Sequence, residues 1–378
     1  MSTVVHGHCD VRFEAVRCAF QRCFAELGET GAAVAIFYQG ELVCDLYGGI
    51  AQDGVPWTSD VLVMPYSVSK PFAALCCLVL VDRGLLDANA KVSEYWPEFA
   101  ACGKGSCTVR QLLEHQAGIP FPPAGSTFDD ICDLAGMIER IGNEKPLWAP
   151  GESTAEHAML YGHLCAGLVQ QVARMPFGEF FKQEISIKYG LDLHFGLSDS
   201  CLQRCAVLSD WPPDVVQELR NLTPLAEAGL FVPDILCRSE LMNSTKWRQA
   251  VVPAVNLHCT ARDVARVYSM LASKTSSELL GAEALALLRA PGALQRDEVF
   301  GFESRWALGF QHHAWESRDG SQSIGNHFGL GGIGGSSAFG SFENEIGFAY
   351  TTRQMGNWER AEEVEEALLQ SLMALHHA

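Results

Sequence analysis

Apolar residues recur at helical spacing at Phe13, Val16, Phe20, Phe24 and Leu27, which predicts an amphipathic helix over 13–27. Two β-rich runs follow, Ala32 to Tyr38 and Leu42 to Tyr47, and their junction at Gln39-Gly40 predicts a hairpin. The run from Phe72 to Val81 is apolar on every side and ends at Asp82-Arg83-Gly84. It predicts a buried helix that opens at Ser67 and closes with Gly84 as its C-cap. Thr108 is placed to cap a short helix, Val109 to His115, which stops at Gly118. From about residue 120 to 290 the pattern is mainly helical, broken by proline and glycine clusters near 120–125, 146–151 and 212–213.

The period returns to that of strands from Trp306 onward, with runs at Ala307 to His313, Ser336 to Phe342 and Ile346 to Thr352. A last helix is predicted from Trp358 to Leu375. Strands near both ends with helices between them imply an α/β (α+β) architecture: one sheet built from both termini, flanked by helices, with a helical insertion. The expected division is 1–85 together with 295–378 for the sheet region, and 86–294 for the helical region.

Composition narrows the function. A formal charge of −18 argues against nucleic acid and anionic membrane as partners, since both call for basic patches. An apolar content of 48% with 19% charged residues supports a large core and carries no signature of disorder. The N-terminal residues show no basic-then-apolar signal pattern, and no apolar run approaches the ~20 residues needed to span a bilayer. The fourteen cysteines contain no C-x-x-C pair and read as reduced, mostly buried thiols, so a cytoplasmic protein is expected. His6-Gly7-His8-Cys9-Asp10 has two alternating histidines but no further ligand set at suitable spacing, and neither a metal nor a cofactor is expected. Oligomeric state is not legible in the sequence.

The candidate chemistry begins at Ser67-Val68-Ser69-Lys70. A serine hydroxyl needs a neighbouring base to act as a nucleophile at neutral pH, and positions i and i+3 of a helix share a face. A helix start also offers unpaired N–H groups to a developing oxyanion. Tyr161, in Tyr161-Gly162-His163, is a candidate base if a cation such as Lys70 lowers its pKa; taken alone, it is a half-buried helix tyrosine with a satisfied hydroxyl. The glycine-rich run Asn326-His327-Phe328-Gly329-Leu330-Gly331-Gly332 allows close backbone approach, and the Leu330 amide is a candidate second oxyanion donor. Gly329, Gly331 and Gly334 also match G-x-G-x-x-G, but strand-like residues follow where a dinucleotide site needs a helix. His115 reads as a capping and packing residue.

The ordered set S-x-x-K, Y-x-N/H and H-x-G resembles the serine β-lactamase-like superfamily, in particular class C β-lactamases, D-alanyl-D-alanine peptidases and family VIII carboxylesterases. The segments "TVRQLLEHQAGI", "WAPGE", "NLHCTARDVARVYSML" and "HFGLGGIGG" extend that resemblance over most of the chain. It implies a β-lactamase-like antiparallel sheet with a mainly helical subdomain, and an acyl-enzyme on Ser67. Lys70 and Tyr161 are then the paired base and acid, and the amides of Ser67 and Leu330 form the oxyanion hole. His163, His327, Phe328 and Gly329 fall at substrate-binding positions, with His163 in place of an asparagine and His327-Phe328-Gly329 in place of K-T-G. Both departures favour a neutral small-molecule ester or acyl donor over a β-lactam, and hence a carboxylesterase. An acyltransferase using the same site, a β-lactamase or D-amino-acid peptidase-like amide hydrolase, and a non-catalytic binding protein are the alternatives. No G-x-S-x-G elbow is present, which argues against an α/β-hydrolase.

Overall fold

The computed structural model describes residues 3–274 and 277–377. Its first strand, β1 (Val5–Cys9), precedes α1 (Glu14–Glu26), which starts one residue later than the periodicity predicts because Val11–Phe13 form a separate 3₁₀ turn. The predicted hairpin is β2 (Gly31–Tyr38) and β3 (Glu41–Gln52). The apolar run is α2 (Ser69–Asp82), every residue of which is buried from Ser69 to Leu80. After a long, mainly helical stretch come α3 (Tyr161–Ala173) and α4 (Ala261–Ala272). The C-terminal part supplies β4 (Trp306–Ala307), β5 (Phe310–Glu316), β6 (Ser323–Gly332), β7 (Ser336–Ser341), β8 (Ile346–Thr352) and α5 (Glu359–His376).

These strands form one antiparallel sheet in the order β1-β3-β2-β8-β7-β6-β5-β4, with a short strand at Val55–Pro56 paired to β3. The sheet is therefore built from both ends of the chain, which meet where β2 pairs with β8 from Ala32↔Thr352 to Tyr38↔Ile346. Alternation divides its side chains between two cores. Val34, Ile36, Phe348 and Tyr350 pack under α1 and α5, while α4 covers the opposite face, where Tyr268 meets Phe72, Phe310 and Phe328. This second core continues through α2 into the helical region as far as Leu112, Leu164 and Trp247, so most of the interior of 86–294 is continuous with the sheet's; Leu197 and Cys205 form a small cluster apart with Leu62. β6 was expected only as a glycine-rich run beside a strand; it is itself a ten-residue strand paired on both edges.

Candidate active site

Ser67 sits in a single 3₁₀ turn, Tyr66–Val68, that runs directly into α2. The residue before it, Tyr66, has φ +50°, a left-handed conformation that costs an L-residue about 1–2 kcal/mol. Its side chain holds it there. The Tyr66 hydroxyl donates to the Leu236 carbonyl at 2.9 Å and accepts from Trp211 Nε1 at 3.3 Å, and the two rings meet edge to face. Ser69 closes the turn from the other side, accepting the Leu257 N–H at 3.0 Å and donating to the Tyr66 carbonyl. The Ser67 amide, in the first turn, has no carbonyl one turn earlier to pair with.

Lys70 lies one turn further on, wholly buried, with Nζ 2.6 Å from Ser67 Oγ and 3.0 Å from Glu156 Oε1. Burial pushes the Lys70 ammonium below its usual pKa, and the Glu156 carboxylate opposes part of that shift. Glu156 lies in the non-helical segment before α3 and is gripped from two sides. Its N–H donates to Asp297 Oδ2 at 2.7 Å. The neighbouring Ala155 N–H reaches the His115 carbonyl, and the His157 N–H reaches His115 Nδ1, both at 3.0 Å. Asp297 is fixed in turn by the N–H groups of Val299 and Phe300, at 2.9 and 2.8 Å. Burial first, and the charge of Glu156 second, push the Asp297 carboxyl up to about 7. Serine, lysine and glutamate thus form a continuous hydrogen-bonded chain, with a buried aspartate behind it.

The end of β6 approaches the nucleophile. A Cβ added at Gly332 would collide with the Pro65 carbonyl and stand 3.3 Å from the Ser67 nitrogen, so only glycine permits this contact. The turn Ile333-Gly334-Gly335 follows, with Gly334 at φ +99°.

Six of the expected site residues lie elsewhere. The Tyr161 hydroxyl donates to the Leu113 carbonyl at 3.0 Å, and its ring packs on His115. Burial, together with the thiols Cys165 and Cys77, raises this phenol well above its usual pKa, the reverse of what a base needs. Glu156, five residues earlier, holds the place beside Lys70 that Tyr161 was expected to fill. His163 is wholly buried, with Nε2 on the Ile131 carbonyl, and burial lowers its pKa to about 4. His327 lies against Trp315 and Phe339 on the α1/α5 side of the sheet, and Phe328 lies under α4. Gly329 faces the backbone of β7. At about 3.3 Å per residue, His327 is roughly 16 Å along the strand from Gly332, and Leu330 roughly 7 Å. The backbone abutting Ser67 is therefore at Gly332, two residues beyond Leu330.

Glu156 is hard to single out in the sequence because it is a lone carboxylate ahead of a more conspicuous tyrosine, Tyr161. Its signal was an acid isolated in Thr154-Ala155-Glu156-His157-Ala158-Met159-Leu160, where an unpaired charge is costly to bury. Asp297, in a loop, carried no comparable signal.

The chain is 32% identical over 281 residues to the esterase/beta-lactamase LipL of Mycobacterium tuberculosis. That match covers 71% of this chain and 65% of LipL, slightly under two thirds of the relative's length. Among solved structures, a family VIII carboxylesterase superposes with a TM-score of 0.87 at 31% identity, covering 97% of this chain and 100% of the other. A penicillin-binding protein homologue from Caulobacter crescentus superposes with a TM-score of 0.84 at 30% identity, over 97% and 100% of the two chains. The beta-lactamase family model matches residues 20–372, nearly the whole chain, and with the sheet and the Ser67-Lys70 turn described above it establishes that this protein belongs to the beta-lactamase family.

Proposed function

We propose that this enzyme hydrolyses neutral carboxylic esters through an acyl-enzyme on Ser67. The observation that carries this reading is the 2.6 Å contact between Lys70 Nζ and Ser67 Oγ in a site where burial favours the neutral amine. Neutral Lys70 takes the Ser67 proton as Oγ attacks the ester carbonyl. The resulting ammonium is stabilised by Glu156, 3.0 Å away. The tetrahedral oxyanion is received by the Ser67 N–H and an N–H of the Gly332-Ile333 segment, where one such donor contributes about 3 kcal/mol. Lys70 then returns its proton to the departing alkoxide. Water repeats the sequence on the acyl-enzyme, with Lys70 again as base.

The strand end at Ser67 supports an ester rather than a β-lactam. Leu330-Gly331-Gly332-Ile333 offers neither a cation nor a hydroxyl to a substrate carboxylate. The preference inferred from His327-Phe328-Gly329 therefore stands on different residues. Hydrolysis of p-nitrophenyl butyrate by the wild type beside Ser67→Ala tests the reading. Turnover by the wild type, with the variant at the uncatalysed rate, is expected; equal rates in the two proteins would refute it.

A further inference from the structure

A cavity lies one residue beyond the backbone that meets the nucleophile, lined by none of Ser67, Lys70 and Glu156, so nothing in the proton chain uses it. It measures about 170 Å³, and its walls are mainly Trp211, Leu219, Phe300, Phe302, Ile333 and Trp358. Its position ties it to Ser67 by two routes. Ile333 directly follows Gly332, whose α-carbon faces the Ser67 amide. Trp211 donates to the Tyr66 hydroxyl and packs on that ring, one residue before the nucleophile. The outer wall is equally fixed: Phe300 donates its N–H to Asp297, and the Phe300 and Phe302 rings lie 5.5 Å apart.

Size and charge define what this cavity takes. An enclosed apolar cavity of about 150 Å³ holds benzene, so this pocket, which opens to solvent, is large enough for a single six-membered ring. Among the described residues no lysine, arginine or histidine lines it, and the one ionisable wall residue is Glu218. A carboxylate-bearing ring would therefore meet no cation and one acidic neighbour. We propose that the cavity is the specificity pocket of the enzyme and receives an uncharged, phenyl-sized group of the ester, borne either by the acyl part or by the alcohol. This rests on the esterase reading for its chemistry, but the pocket can be tested without it.

The test compares kcat/KM for ethyl acetate, methyl phenylacetate and benzyl acetate in the wild type and in Val215→Phe, since Val215 lines the cavity and a ring there fills it. The wild type should prefer a ring-bearing ester over ethyl acetate by about tenfold or more, the scale a complementary apolar pocket provides. Preference for methyl phenylacetate places the ring on the acyl side, and preference for benzyl acetate on the alcohol side. In Val215→Phe that preference should fall about tenfold. No preference in the wild type, or the same preference in both proteins, overturns the proposal.

Tryptophan fluorescence provides an independent measurement, because Trp211 and Trp358 are in the walls. Benzyl alcohol titrated into Ser67→Ala should change the emission saturably where ethanol does not, and Val215→Phe should weaken that response. Saturation with no ester turnover in the wild type would sink the esterase reading and leave the pocket standing. The absence of saturation in Ser67→Ala would sink the pocket.

Discussion

At the scale of single residues, the site is defined by the side chain that completes the pair begun by Ser67 and Lys70. Glu156 does so in the structure, and its effect on Lys70 has a definite sign. A carboxylate beside the amine favours the ammonium, so removing it makes Lys70 easier to deprotonate. Activity requires neutral Lys70 and rises as pH passes its pKa. Glu156→Gln should therefore move the acidic limb of the pH profile of kcat/KM to lower pH, while lowering the maximum by about 10²-fold, the lower range for a positioned acid–base group. A limb that stays in place or moves to higher pH would remove Glu156 from this role. Tyr161→Phe makes the complementary prediction. It deletes one buried hydrogen bond, to the Leu113 carbonyl, and should cost about 1–3 kcal/mol of stability. Its kcat/KM should stay within a few-fold of the wild type, whereas a phenol acting on Ser67 would make that loss several hundred-fold. Thermal melts and kinetics on the same preparations separate the two.

At the scale of elements, the segment 297–300 acts as a clamp, since Asp297 accepts the N–H groups of Glu156, Val299 and Phe300 at once. Its carboxyl, raised to about 7 from an ordinary value near 3.8, makes that clamp sensitive to pH. Between those values the folded protein holds a proton that the unfolded chain has lost. Its contribution to stability is complete below about pH 4, falls as pH rises, and is gone above about pH 7. Asp297→Asn loses the Oδ2 acceptor at every pH but does not titrate. The melting temperature of the variant minus that of the wild type should therefore increase from pH 4 to pH 7; a flat or falling difference would contradict the assignment. Elements were also where the sequence was most readable. The helical spacing of α1, the apolar run of α2 and the strand period of β7 and β8 come from repeated side-chain patterns that local physics fixes. The exact partner of Lys70 does not. Glu156 reaches it through a non-helical segment held by His115 and Asp297, residues about 40 and 140 positions away, and no local period encodes such a contact. The run from His327 to Gly335 was readable as a close-approach segment. Which residue along it meets Ser67 depended on how far β6 extends, and a shift of a few residues moves the contact by roughly 10 Å.

At the scale of the whole molecule, the sheet joins the two ends of the chain, and the core runs without interruption from β2 through α2 into the helical region. That continuity anchors the rigid start of α2, where Tyr66 stays in a left-handed conformation beside the nucleophile. Among the described residues no helix is long and apolar enough to cross a membrane. The family assignment and the fold agree over nearly the full length, and the chemistry proposed on them places the acyl group on Ser67. Intact-protein mass spectrometry after treatment with a fluorophosphonate, with wild type and Ser67→Ala side by side, addresses it most directly. A single adduct on the wild type that maps to the peptide containing Ser67, and none on the variant, is the predicted result. An unmodified wild type, or equal labelling of both proteins, would contradict the account.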